Sequence, residues 1–268
     1  MISAVLVRIL EAWLVCAVLQ AALWFIAQRT KNASIVDVGW AQSFTVVTLV
    51  FVLQPLSSRG NWLPIAMVVI AWSTRLTCYL VLRGTATDAE EGRYVDLRRR
   101  WGLRAPQKFF AFFQAQAGLT ALLSTAFVIP FVATAWDGGV LRAFAALIAA
   151  GAVAGEAIAD AQLAKFKADP RNKGRVCDQG LWGYSRHPNY FFEWCFWLGL
   201  ALYGLAFAPA GLIALLGQAI ILASILGVTG IPPTENQALR SKGEAYRAYQ
   251  ARVSRFIPMP PKRTRPSI

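Results

Sequence analysis

Charge is scarce in this chain. Only 15% of its 268 residues are Asp, Glu, Lys or Arg, against about 25% in an ordinary soluble domain. Histidine occurs once, at His187, and cysteine four times, at Cys16, Cys78, Cys177 and Cys195. The cysteines have no paired spacing, so neither a disulfide framework nor a zinc site is suggested, and no metal is expected. There is no G-x-G-x-x-G after a strand and no G-x-x-x-x-G-K-[ST], so a bound nucleotide would need neither a Rossmann fold nor a phosphate loop. No internal repeat is visible. Low complexity is confined to the tail "PMPPKRTRPSI", which is expected to be disordered.

What the chain has in quantity is apolar sequence. It is 56% hydrophobic, with a mean hydropathy of +0.45. A helix needs roughly 20 apolar residues to cross the hydrocarbon core. Such runs fall at about 3–27, 34–54, 61–82, 109–135, 139–166, 189–208 and 210–229. The expected fold is therefore all-α, a polytopic membrane protein of seven transmembrane helices in a single domain over residues 1–268. The first run is too long for a cleaved signal and lacks a basic start, so it is expected to remain as the first span. A short amphipathic helix, or a pair broken at Gly243, is expected over 233–254, started by Pro232 and Pro233.

The net charge of +13 does not point to nucleic acid. Every Lys and Arg except Arg8, Arg59, Arg75 and Arg142 falls on one side of the expected spans. That is the positive-inside pattern, with the N-terminus outside and the C-terminus cytoplasmic. The long connections, 83–108 and 165–188, lie on the same basic side, where a functional site is expected.

Ionisable groups inside a span are costly, about 2.5–3.5 kcal/mol each on insertion scales, and usually functional. Asp37, Arg75, Glu156, Asp160 and Glu193 fall in the expected spans. Glu156 and Asp160 share a helix face, with Lys167 close to it; so do Arg75 and Tyr79, and Asn189 and Glu193. Interhelical ion pairing, such as Arg75 with Glu156 or Asp160, and helix capping by Ser34 and Asp37 are the plain structural explanations. The alternative is a polar interior near the cytoplasmic end. Residues 171–190, "RNKGRVCDQGLWGYSRHPNY", add three glycines for close approach and Arg171, Lys173 and Arg175 for phosphates. Pro188 starts a helix whose first turn, at Asn189, favours an anion.

These residues resemble a known family. "GLWGYSRHPNYFFEW", "GIPPTENQALRSKGEAYRAYQARVSRFIP" and "SIVDVGW" are similar to segments of steroid 5α-reductases and related membrane enoyl reductases. The resemblance implies a seven-helix enzyme that uses NADPH to reduce the 4,5 double bond of a 3-oxo-4-ene steroid. Residues 1–135 would mainly line the substrate pocket, 136–258 would mainly hold the cofactor, and 259–268 would form a flexible tail. It implies cofactor contacts at Arg75, Glu156, Asp160, Lys167, Arg171, Arg175, Tyr184, His187, Asn189, Tyr190 and Glu235. Asp37 stands for the family's catalytic Glu. Trp72 occupies the position of its catalytic Tyr, with Tyr79 as a substitute donor. Asp37 acts on the ketone oxygen only if protonated. The expected partners are a hydrophobic steroid-like substrate and membrane lipid, with no nucleic acid and no obligate protein partner, in a bacterial inner membrane. Isoprenylcysteine carboxyl methyltransferases, which use S-adenosylmethionine, share a similar Arg-His-Pro-x-Tyr segment and are the first alternative. A non-catalytic lipid-binding protein is the second.

Overall fold

The computed structural model describes residues 2–56, 60–133, 139–207 and 210–262, so Arg59, Arg263, Arg265 and most of the expected tail lie outside the described residues. The described chain is helical, and its one extended pairing is an isolated parallel bridge between Ser185 and Ser254. The long helices are α1 (Ile2–Thr30), α2 (Ile35–Leu53), α3 (Leu63–Leu82), α5 (Ala105–Leu123), α7 (Gly139–Ala168) and α8 (Pro188–Leu205). Shorter helices are α4 (Gly92–Trp101), α6 (Ile129–Val132), α9 (Ala214–Ala223), α10 (Ile231–Lys242) and α11 (Glu244–Arg252).

Among the described residues, six helical stretches are long and apolar enough to cross a membrane: Ile2–Thr30, Ile35–Leu53, Leu63–Leu82, Gly92–Ala126, Gly139–Ala168 and Ala210–Lys242. The chain is an integral membrane protein. The expected sixth of seven spans forms as α8 but is not among these stretches. Asn189, Tyr190 and Glu193 open that helix and dilute its apolar character. The expected fourth span also ends early. Its helix stops at Leu123, and tight turns and α6 carry the chain on to Val132.

The chain divides into two compact units. Unit 1 comprises Met1–Ala146 and Leu200–Gly217, and unit 2 comprises Leu147–Gly199 and Gln218–Ile268. The expected substrate half, 1–135, falls within unit 1. Most of the expected cofactor half falls within unit 2, while its start, up to Ala146, and 200–217 belong to unit 1.

Unit 1 is built on α1 packed against α5 and α2, and on α2 against α3. Lipid is as apolar as leucine, so close packing and interhelical hydrogen bonds must hold such helices together. Gly39 supplies the close approach: a Cβ there would run into Leu23 Cδ1 of α1. Ser73 ties α3 to α2. Its Oγ donates to Ala41 O at 2.6 Å and accepts from Thr45 N at 3.1 Å and Thr45 Oγ1 at 2.8 Å. Gln114 Nε2 on α5 donates to Ala17 O on α1 at 3.2 Å. A buried cluster of Ala27, Ala33, Val36, Tyr94, Ala105, Phe109 and Phe113 closes one end of this unit.

In unit 2 the amphipathic segment is a helix pair, α10 and α11, the second of the two forms that its sequence leaves open. Gly243 separates them at φ 51°, a conformation that suits a residue without Cβ. Tyr246, Tyr249 and Val253 pack there with Val176, Ala238 and Leu239.

Candidate functional site

Unit 2 gathers four polar side chains around one carboxylate. Pro232 and Pro233 start α10 and place Glu235 in its first turns. Glu235 Oε1 accepts from Arg186 Nε at 2.6 Å and Tyr246 OH at 3.4 Å, and lies 3.4 Å from His187 Nε2. Its Oε2 accepts from Gln250 Nε2 at 3.2 Å. Arg186 Nη1 also donates to Gln250 O at 3.1 Å and Val253 O at 2.9 Å. The Arg186 and Glu235 side chains are 10% and 13% exposed, so the ion pair is largely buried, with both carboxylate oxygens bonded.

The backbone around Arg186 is pinned from three directions. Arg186 N donates to Ser254 O at 2.8 Å, and Ser185 Oγ to Phe256 O at 2.7 Å. Tyr249 OH donates to Trp182 O at 2.6 Å. Trp182 Nε1 reaches Ala159 O of α7 at 2.9 Å, and Leu181 N reaches Gln162 Oε1 at 2.9 Å. The "GLWGYSRHP" loop is thus a rigid seat joining α7, α8 and α11.

His187 is 2% exposed and stacks on Tyr190 with ring centroids 5.5 Å apart and planes 6° from parallel. Burial pushes its imidazole below the usual range, and Glu235 opposes the shift without reversing it. The ring is neutral at pH 7. An ionised carboxylate only accepts, so Nε2 carries the proton and Nδ1 the lone pair. Burial, helped by Glu235, pushes the Tyr246 phenol up, so it remains a donor. Tyr190 OH lies 3.2 Å from Thr234 Oγ1. Asn189 Nδ2 donates to Asp160 Oδ1 at 3.4 Å, and Glu156 and Asp160 are both 6% exposed on α7. The structure therefore brings together His187, Asn189, Tyr190, Glu235 and Asp160.

The basic residues of unit 2 fall into two classes. Arg171 is bound by its neighbour: Nε and Nη2 donate to Asp169 at 3.0 and 2.7 Å in an exposed fork. Those bonds hold the Asp169 carboxyl below its usual range. Lys167, Lys173, Arg175 and Lys242 make no ion pair among the described residues. Arg175 Nη1 touches only Asn172 Oδ1, at 3.4 Å. Lys242 is half-buried and repelled by Lys167. Burial pushes the Cys177 thiol up, while the ammonium groups of Lys242 and Lys167 beside it pull the other way. Tyr184 is 50% exposed, and its carbonyl accepts from Met259 N at 2.9 Å.

Unit 1 holds the other expected residues. Asp37 sits in the first turn of α2. Arg93 Nη2 donates to Oδ2 in a short bond, and Tyr94 OH donates to Oδ1 at 2.9 Å. Around this pair Glu91 N donates to Ser34 Oγ at 2.9 Å. Ala33 N donates to Glu90 Oε1 at 2.7 Å, and Arg98 Nε to Glu90 Oε2 at 3.0 Å. The segment 88–98 thereby latches onto the α1–α2 turn. Ser34 makes no side-chain cap to α2. Trp72 is fully buried on α3, edge-on to Phe44 at 5.2 Å and Trp40 at 6.5 Å. The indole nitrogen of Trp40 is buried without a hydrogen-bond partner among the described residues. Arg83 lies over the Tyr79 ring at 5.8 Å, and Arg75 lies half-buried on the same helix. A hollow of about 260 Å³ in unit 1, lined by residues including Asn61, Arg142 and Tyr203, contains none of the expected site residues.

Sequence reasoning missed Arg93, Tyr94, Arg186, Tyr246, Gln250 and Trp40 as partners in these clusters. Arg186 stood inside the motif and was open to the same argument as His187. Arg93 and Tyr94 lie in the first turn of α4, 56 and 57 residues from Asp37, and no local spacing announces that contact.

A family model described as "Protein of unknown function (DUF1295)" matches residues 23–253. The chain belongs to DUF1295. That family is related in general to steroid 5α-reductase-like membrane proteins. An uncharacterized protein of Schizosaccharomyces pombe is 28% identical over 271 residues, covering 90% of this DUF1295 chain and 77% of the yeast protein. No solved structure matches.

Proposed function

We infer that this DUF1295 protein is a membrane reductase that takes hydride from NADPH and adds it to the electron-poor double bond of a lipophilic enone of the 3-oxo-4-ene steroid type. The observation that carries the reading is the set of cations in unit 2, Lys167, Lys173, Arg175 and Lys242, without carboxylate partners. Lys242 and Lys167 repel each other, an anion relieves that repulsion, and a dinucleotide phosphate supplies several negative charges. S-adenosylmethionine carries a sulfonium cation and no phosphate, so the same pair disfavours it. The resemblance of the Arg186–Tyr190 and 230–258 segments to membrane reductases supports the nicotinamide. In this reading the basic side of the chain faces the cytoplasm of a bacterial cell, and the N-terminus lies outside the inner membrane.

Hydride added to the β carbon sends negative charge to the ketone oxygen, which needs a donor in a dry environment. The α carbon then takes a proton from water. Asp37 accepts from Arg93 and Tyr94, so its part is that of an ionised anchor. Within unit 1 the indole N–H of Trp40, one helical turn from Asp37 and edge-on to Trp72, has no hydrogen-bond partner among the described residues and is a donor of the kind such an oxyanion needs. Glu235 fixes Arg186 and the His187 tautomer, leaving Nδ1 to accept a hydrogen bond from the cofactor.

Thermal unfolding of the detergent-purified chain with NADPH, NADH or S-adenosylmethionine tests this. Stabilisation by NADPH is expected, followed by turnover of 3-oxo-4-ene steroids. Stabilisation by S-adenosylmethionine alone would replace the reading with methyl transfer. No stabilisation by any of the three would favour a lipid-binding protein without a cofactor.

A further inference from the structure

The turn between α4 and α5 is built unlike the rest of the latch that contains it. On its inner side the cations are paired: Arg83 with Glu91, Arg93 with Asp37 and Arg98 with Glu90. On its outer side Arg99, Arg100 and Arg104 are exposed and form no ion pair among the described residues. Asp96, on the same helix, pairs with none of them. Between these arginines Leu103 is 99% exposed. Trp101 is half-buried beside them, with the Lys108 ammonium 5.7 Å from its ring centre.

The turn lies within the stretch Gly92–Ala126, directly before its apolar part, α5, which runs from Ala105 through Phe109 and Phe113. Trp24 marks the same depth on α1. Its Nε1 donates to Pro106 O at 3.0 Å, and its ring meets Phe110 at 5.1 Å. Tryptophans sit at the headgroup level of a bilayer. A bare leucine between three uncompensated arginines at that depth has two needs. The leucine needs the acyl boundary, and the arginines need phosphate oxygens, which guanidinium groups bind as a fork.

We propose that the α4–α5 turn, through Arg99, Arg100, Arg104 and Leu103, is a docking site for anionic phospholipid. It is independent of the reductase reading, because it concerns neither the Glu235 cluster nor the cations of unit 2. A basic side chain near an anionic surface favours the bound state by about fivefold, so three give a preference on the order of a hundredfold at most and tenfold after mixing with weaker sites.

The full chain is reconstituted in bilayers of equal phosphatidylglycerol and phosphatidylcholine and released into mild detergent. Native mass spectrometry then counts the retained lipids. The expected result is enrichment of phosphatidylglycerol by about tenfold, falling to near parity in Arg99→Gln/Arg100→Gln/Arg104→Gln. These arginines bond to no described residue, so that variant keeps its fold. Leu103→Ser lowers retention of both lipids. Arg171→Gln/Lys173→Gln/Arg175→Gln leaves the enrichment unchanged, and so does millimolar inorganic phosphate. Parity in the unaltered chain would overturn the proposal, as would full enrichment in the first triple variant. Equal loss in the second triple variant would move the site to the basic face in general. Competition by free phosphate would replace the lipid with a soluble anion.

Discussion

Units 1 and 2 solve the problem of polar groups in a membrane protein in opposite ways. Unit 1 spreads its hydrogen bonds along helix contacts, as at Ser73, Thr45 and Gln114, and keeps an ion-paired latch at a helix end. Unit 2 concentrates four side chains on one carboxylate, Glu235, and pins the surrounding loop by backbone contacts. A distributed arrangement tolerates the loss of a member, because each bond is worth about 0.6–2 kcal/mol. A hub does not, since removing its centre strands the rest. The difference teaches where rigidity is needed: at the presentation of Arg186 and His187, not along the spans.

The strongest way to break that contrast is Glu235→Ala. Arg186 would remain buried with no carboxylate, and removing one partner of a buried pair costs about 3–5 kcal/mol. Unfolding in detergent should show a large loss of stability. By comparison, Gln114→Leu should cost about 1 kcal/mol, the value of the membrane hydrogen bond that Gln114 makes to Ala17 O. Equal losses would mean that unit 2 has no hub. A second variant, Gly39→Val, tests the packing of unit 1. Its Cβ would displace Leu23 from α1, and overpacking of this kind costs about 1–3 kcal/mol. A fall between the other two is expected.

Much of the fold was legible because its main signal is composition. Runs of apolar residues of bilayer length give α1, α2, α3, α5 and α7 directly, and Pro232 with Gly243 gives the bounds of α10 and α11. The count of seven was harder to read because α8 must both present Asn189 and Glu193 and remain a long helix, so its hydropathy falls short. At the site, the grouping of His187, Asn189 and Tyr190 was legible because these residues are neighbours in sequence. Glu235 was placed in the region by the resemblance, while its bond to Arg186 spans 49 residues and needs the structure. The Asp37 contact with Arg93 and Tyr94 was illegible for the same reason. Sequence shows that a carboxylate is costly in a span; only the fold shows what satisfies it.

The pH response of the hub is a smaller effect. His187 is neutral in the folded state because burial lowers its pKa, whereas an unfolded histidine titrates near 6.5. Below about pH 6.5 the unfolded chain therefore binds a proton that the folded chain refuses, and stability falls as pH falls. The slope is at most about 1.4 kcal/mol per pH unit, and it ends once the folded imidazole also protonates. Unfolding between pH 7.5 and 5.5 should show it. His187→Gln should flatten this window relative to the unaltered chain, while unit 1 contains no histidine to replace the effect.

The smallest effect separates the two classes of cation within unit 2. Arg171 is fully exposed and already forked onto Asp169, so Arg171→Ala should leave stability unchanged. Its effect on NADPH affinity should also be slight, because the ligand would have to compete with Asp169 for the guanidinium. Lys242→Ala should act differently. Lys242 is half-buried, repelled by Lys167 and without a carboxylate, so an arriving phosphate relieves that repulsion instead of competing with a neighbour. Titration of both variants with NADPH should therefore rank Lys242 well above Arg171. The reverse order would place the phosphates at the tip of the 169–175 loop and leave the inner pair of lysines to some other anion.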